Sequence, residues 1–270
     1  MKEPSDMTDP PDMAEPSDDS ADAARSRSAA ERLLAVLGAF DHRRPALSLT
    51  EIGRRAGLPL ATAHRLVGEL TVWGALERDV AGSYHVGLRI WELAALAPRG
   101  PALREAALPF LEDLYEATHE NVHLAVLDGL DVVYIERLSG RHAVGVRSRP
   151  GARWPLHATG VGLVLLAHSA KAFQDQVCGR PLAAFTPHTL SDPARLRRAL
   201  AEVRRTGCAV ADRQITDDAV SVAAPVRGPR GDVVAAVSLV VPSAGTQPHS
   251  LVPAVRLAGR GISRALGWRP

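Results

Sequence analysis

From Ser28 to Phe40 apolar residues fall at Ala29, Leu33, Val36, Leu37 and Phe40, the spacing of one helical face. His42 to Pro45 interrupts the stripe. Ser48 and Glu51 then stand three apart, the pattern of a capping box in which the hydroxyl accepts an orphan amide and the carboxylate reaches back. A short helix carrying Ile52 inward is predicted to run to Ala56. Gly57 ends it, because a residue without a side chain enters the left-handed conformation without strain. Pro59 suits the first position of the next helix, where no amide donor is needed. There Ala63, Leu66, Val67 and Leu70 form an apolar face, with Ala61, His64, Arg65 and Gly68 opposite. Two helices across so tight a turn predict a helix-turn-helix. Trp73 to Asp79 and Tyr84-His-Val86 flank a glycine-containing turn and read as a hairpin, which makes the unit a winged helix-turn-helix.

Residues 88–97 predict another helix, and Pro98-Arg-Gly-Pro101 marks a domain boundary. A further helix follows, with Leu103, Ala107, Phe110, Leu111, Leu114 and Tyr115 inward. Beyond residue 120 the period shortens. Val122–Leu127, Val132–Leu138 and Val144–Arg147 are strand-like, whereas Arg149 to Pro155 reads as a loop. The apolar run Leu163–His168 predicts a buried helix and Pro193–Thr206 an amphipathic one closed by Gly207. Three strands follow at Cys208–Asp212, Ser221–Val226 and Val233–Val241, then a helix over 251–266. Helices around a mostly antiparallel sheet predict an α+β fold. The expected domains are an acidic disordered tail (1–25), a winged helix-turn-helix (26–87), a linker helix (88–101) and an α/β sheet domain (102–268).

Composition narrows the function. The chain has 270 residues, 46% apolar and 23% charged, with a net charge of +2. Residues 1–25 carry −6, so the remainder carries +8, a balance that favours polyanion partners. No apolar run reaches a membrane span and no secretory signal opens the chain, so no membrane association is expected. Cys178 and Cys208 are the only cysteines, without metal-site spacing. A cytoplasmic location is expected, with no metal and no cofactor.

At four segments the sequence resembles the IclR family of bacterial transcriptional regulators. They are Leu58-Pro-Leu-Ala-Thr-Ala-His-Arg-Leu66 with Leu76-Glu-Arg-Asp79, and Gly82-Ser-Tyr-His-Val-Gly-Leu-Arg89. The others are Pro155-Leu-His-Ala-Thr-Gly-Val-Gly-Leu-Val-Leu-Leu-Ala167, and Val220-Ser-Val-Ala-Ala-Pro-Val226 with Gly231-Asp-Val-Val-Ala-Ala-Val-Ser-Leu239. The resemblance spans roughly residues 26 to 268. It implies a winged helix-turn-helix on operator double-stranded DNA and a GAF-like C-terminal domain that binds a small organic effector, commonly a carboxylate or an aromatic compound. It also implies a homo-oligomer, a dimer or a dimer of dimers, and a protein that is not an enzyme. Where relatives often carry a polar pair, this chain has Leu60-Ala61. Val240 stands where some relatives place a second hydroxyl, which favours a less polar ligand.

For DNA the candidates are Thr62, His64 and Arg65 as readers, with Ser48 and Arg78 as backbone contacts. An ordinary amphipathic helix with a solvated arginine is the competing account of the same window. For the effector, family positions match Thr159, Gly160, Asp212, Ser221 and Ser238. Amides at Thr159 and Gly160 suit an anion, whereas a nearby Asp212 repels one unless it is protonated or faces a hydroxyl. The plainer roles are a helix cap for Thr159 and a surface carboxylate for Asp212. Arg147 and His157 are lesser candidates. As a hydrolase-like enzyme the chain would use His157, Ser221 or Asp212, but no nucleophile elbow is present. A protein-interaction module would use the helix-turn-helix for contacts other than DNA.

Overall fold

The computed structural model describes residues 27–97, 99–140, 143–146 and 148–269. The acidic segment 1–25 and Arg147 lie outside these residues. The chain divides into two units after Ala97.

In the first unit, α1 (Ala29–Leu37), α2 (Leu49–Ala56) and α3 (Leu60–Trp73) pack with a small sheet. Capping boxes open both α1, through Ser28 and Glu31, and α2, through Ser48 and Glu51. Gly57 closes α2 in the left-handed region, at φ 63° and ψ 43°. Pro59 precedes α3 at the cap with an extended ψ of 144°, so the helix begins one residue later than the pattern suggests. Val36, Ile52, Leu66 and Leu76 are fully enclosed in the core of this unit. The hairpin is present as β2 (Leu76–Arg78) and β3 (Tyr84–Val86). A two-residue strand β1 (Ala46–Leu47) pairs with β3 as well, a long-range pairing that carries no local signal. Helix α4 (Leu88–Ala94) follows, with no buried residue.

In the second unit, α5 (Pro101–Thr118) precedes β4 (Asn121–Asp128) and β5 (Asp131–Leu138). After β6 (Arg153–Pro155) and a single 3-10 turn come α6 (Gly160–Ala167), α7 (Lys171–Cys178) and α8 (Pro193–Thr206). The chain ends with β7 (Ala209–Asp212), β8 (Ala219–Arg227), β9 (Val233–Pro242) and α9 (Pro248–Ala265). The six strands form one antiparallel sheet in the order β6-β5-β4-β9-β8-β7. Successive side chains on a strand point to opposite faces, and here both faces are covered. Val122, Leu124, Val222, Val237 and Leu239 pack with Leu111 of α5 and Ile262 of α9. Ala125, Ala223 and Ala236 pack with Val164 and Leu166 of α6 and Leu200 of α8.

The edge of this sheet departs from the sequence expectation. The segment read as a loop supplies β6, whose Arg153, Trp154 and Pro155 pair with Val133, Val132 and Asp131. Val144 to Val146, read as strand-like, forms no regular element. Polar groups hold the segment instead: Asn121 Nδ2 donates to Val144 O at 2.8 Å and Arg137 to Ser148 O at 2.8 Å. Apolar content here marked neither a paired strand nor a fully buried stretch, since Val144 and Val146 are half-buried and Gly145 is exposed.

Candidate functional site

Helix α3 buries Ala63, Leu66, Val67 and Leu70 and exposes Ala61, His64, Arg65, Gly68 and Glu69. Thr62 is half-buried. Arg65 and Glu69, one turn apart, form an ion pair at 2.5 Å, with both side chains more than half exposed. A side chain on Gly68 would meet nothing within 4 Å, so the bare stripe on this face owes nothing to packing within the chain.

Ser48 is occupied as a cap. Its hydroxyl accepts from Glu51 N at 3.3 Å and lies 2.6 Å from the Glu51 carboxylate, a hydrogen bond that holds the carboxyl below its ordinary range. Arg78 folds back across the wing, donating to Gly82 O at 3.2 Å with its guanidinium 5.4 Å from the Tyr84 ring centre. That leaves Val80 fully exposed at the wing tip.

The second unit holds a cavity of about 550 Å³, a figure that counts the open space at its mouth. It lies at the α6 face of the sheet. Of the five expected effector residues, Thr159, Gly160 and Ser221 line it. The Thr159 hydroxyl accepts from Gly162 N at 3.1 Å and donates to Pro155 O at 3.4 Å, so it acts as the cap of α6. Gly160 is required by close approach: a Cβ there would lie 2.6 Å from Ser221 Oγ. The helix start therefore rests directly on β8.

Asp212 and Ser238 do not line the cavity among the described residues. Ala211 pairs with Ser221 and faces the cavity. Asp212 pairs with Val220, whose side chain belongs to the opposite face, and its carboxylate meets Arg213 through two contacts of 3.1 Å. Ser238 is on the cavity's side of the sheet, paired with His123 and Ala223, but is only 1% exposed. His157 Nε2 lies 2.8 Å from Ala183 O, and burial lowers its basicity.

Val240, the pocket position the resemblance implied, lines it as well. His123, Tyr134, Ser148, Trp154 and Gln214 also line it and were not expected. His123 Nε2 lies 2.7 Å from Ser148 Oγ, and its ring meets Tyr134 edge-on at 5.1 Å. Burial first, and the Arg137 charge second, push its pKa down to about 3, so the imidazole is neutral. Its one sequence signal was a polar residue inside the apolar run Val122 to Leu127. Among the described residues no cluster of His, Cys, Asp and Glu has the makings of a metal site.

Residues 29–80 match the family model for the IclR helix-turn-helix domain. Residues 99–264 match the model for the C-terminal domain of bacterial IclR transcriptional regulators. The chain is 32% identical to the HTH-type transcriptional regulator XynR of Escherichia coli, over 88% of this chain and 96% of the relative. A crystal structure of an IclR homologue from Microbacterium hydrocarbonoxydans in complex with 4-hydroxybenzoate superimposes with a TM-score of 0.85. It is 39% identical and covers 88% of this chain and 99% of that one. A transcriptional regulator structure from Rhodococcus sp. RHA1 superimposes at 0.76, with 32% identity over 87% of this chain and 96% of its own.

Proposed function

The chain belongs to the IclR family of bacterial transcriptional regulators, with a helix-turn-helix DNA-binding domain and a C-terminal effector-binding domain, and from that premise we propose how it reads DNA and what it senses. The observation that carries the DNA half is the division of α3: one face is core, and the other presents small residues with His64 and Arg65. Thr62, His64 and Arg65 contact base edges in a major groove, while Ser48 and Arg78 lie along the backbone. An arginine bidentate to guanine discriminates by roughly 1–3 kcal/mol.

The effector is a small aromatic or carboxylate compound held in the cavity beside Thr159, Gly160 and Ser221. The capture of 4-hydroxybenzoate by the Microbacterium homologue supports this class. No helix among the described residues is long and apolar enough to cross a membrane, and we place the protein in the cytoplasm as a non-enzyme. Leu88 and Trp91 of α4 are each 64% exposed and Leu96 is 77% exposed. Such an apolar stripe calls for a partner surface, which we assign to a second copy of the chain. Paired recognition helices then meet half-sites about one DNA turn apart. The effector acts by binding one arrangement of the oligomer more tightly than another.

The test is binding of the purified chain to promoter DNA flanking its own gene, across a salt series, with and without a panel of small acids and aromatics. Selective, salt-dependent binding shifted by one compound is expected. No selective binding there, nor to a randomised operator library, would overturn it.

A further inference from the structure

Two residues of the cavity lining each carry a buried polar side-chain atom without a hydrogen-bond partner. One is His123 Nδ1; the other is Gln214 Oε1. The side chains are 2% and 7% exposed, and an unsatisfied buried polar atom costs about 1–3 kcal/mol. Both belong to residues that line one cavity, where a bound molecule can complete them.

We propose that His123 and Gln214 are the specificity-determining polar pair of this cavity and that its effector is a hydroxylated aromatic compound. The inference rests on the effector reading above and narrows it. Gln214 Oε1 only accepts, so the ligand must donate to it. A carboxylate is acceptor-only at neutral pH and cannot meet that need. His123 is anchored at Nε2 by Ser148 and kept neutral by burial, so it offers no cation to a carboxylate. A neutral imidazole with one nitrogen engaged offers the other as donor or acceptor, according to tautomer. A hydroxyl is the smallest group that both gives and takes a hydrogen bond, and so it suits this pair. The aromatic part follows from the walls: Tyr134 and Trp154 stand with the aliphatic side chains of Val146, Ile215 and Val240. Flat apolar surface is matched by a ring.

Calorimetric titration of the full chain with 4-hydroxybenzoate and with 4-fluorobenzoate, which is close in size but has no donor, tests this directly. The hydroxy compound is expected to bind at least about tenfold more tightly. In Gln214→Leu and in His123→Leu the two compounds are expected to converge. Unliganded Gln214→Leu is expected to melt no lower than the parent, because an orphan acceptor has become an apolar side chain of similar size. Equal binding of both compounds to the parent, or a preference that survives both substitutions, would overturn the pair's assignment and leave the effector domain standing. Binding of pyruvate or another aliphatic acid with neither aromatic bound would do the same. No binding of any of these compounds would overturn both readings.

Discussion

On the exposed face of α3, the Arg65 guanidinium holds the Glu69 carboxylate at 2.5 Å, one helical turn away. The pair is open to solvent, so it contributes only a few tenths of a kcal/mol to the helix. Its consequence is for DNA: the arginine proposed to read bases is oriented by an acid that phosphates repel. Arg65→Ala is expected to weaken selective binding about tenfold or more without lowering the melting temperature. Glu69→Gln is expected to tighten binding, since it removes the repelling charge and releases Arg65. Fluorescence anisotropy on a selected operator at fixed salt reads both. Unchanged affinity in Arg65→Ala would remove it from the interface.

Acid sensitivity follows from His123. Its folded pKa of about 3 lies below the ordinary 6.5, so between those values the unfolded chain binds the proton that the folded chain refuses. Stability is therefore complete above the ordinary value and falls as pH drops below it, by at most about 1.4 kcal/mol per pH unit. Urea denaturation of the parent and of His123→Leu at pH 7 and pH 5 is expected to show the parent losing roughly 2 kcal/mol more on acidification. His157 and His168 are also shifted down by burial, but they are present in both proteins and cancel in the difference. A parallel fall in the two proteins would contradict the burial of a neutral imidazole.

Gly160 tests the seating of α6. With Ser221 Oγ 2.6 Å from where a Cβ would stand, Gly160→Ala forces the helix away from β8. A cost of about 1–3 kcal/mol is expected from such overpacking. Ser221→Gly in the same chain should recover most of it, because it removes the obstructing atoms. Thermal melts of the three proteins decide this, and a Gly160→Ala that melts like the parent would show that the helix start yields freely.

Assembly is tested on α4. Replacing Trp91 by Glu puts a charge into the stripe formed with Leu88, which desolvation penalises at an interface but not in water. Light scattering after gel filtration is expected to show a smaller assembly for Trp91→Glu than for the parent. A monomeric parent, or a variant of unchanged mass, would contradict self-association through this helix.

Local chemistry written in neighbouring residues was legible in the sequence. The capping box at Ser48 and Glu51, the left-handed stop at Gly57, the two faces of α3 and the span of α8 all depend on residues within a few positions of one another. Such signals survive without knowledge of the fold, because hydrogen bonds over three or four residues and helical periodicity need no distant partner. The division of α3 into a buried and an exposed face was accessible from sequence for that reason.

Membership of the cavity was decided by tertiary structure. Asp212 and Ala211 are adjacent, yet strand alternation sends them to opposite faces, and the pairing of Ala211 with Ser221 fixes which one meets the cavity. His123, the stretch from Ser148 to Trp154, and Gln214 are far apart in sequence and meet only because the sheet order places their strands and loops together. The same holds at the edge, where Trp154 earned its place by pairing with Val132 while the more apolar Val144 to Val146 stayed unpaired. A sequence states which residues favour burial. Register and strand order state which of them face one another, and those are properties of the whole sheet.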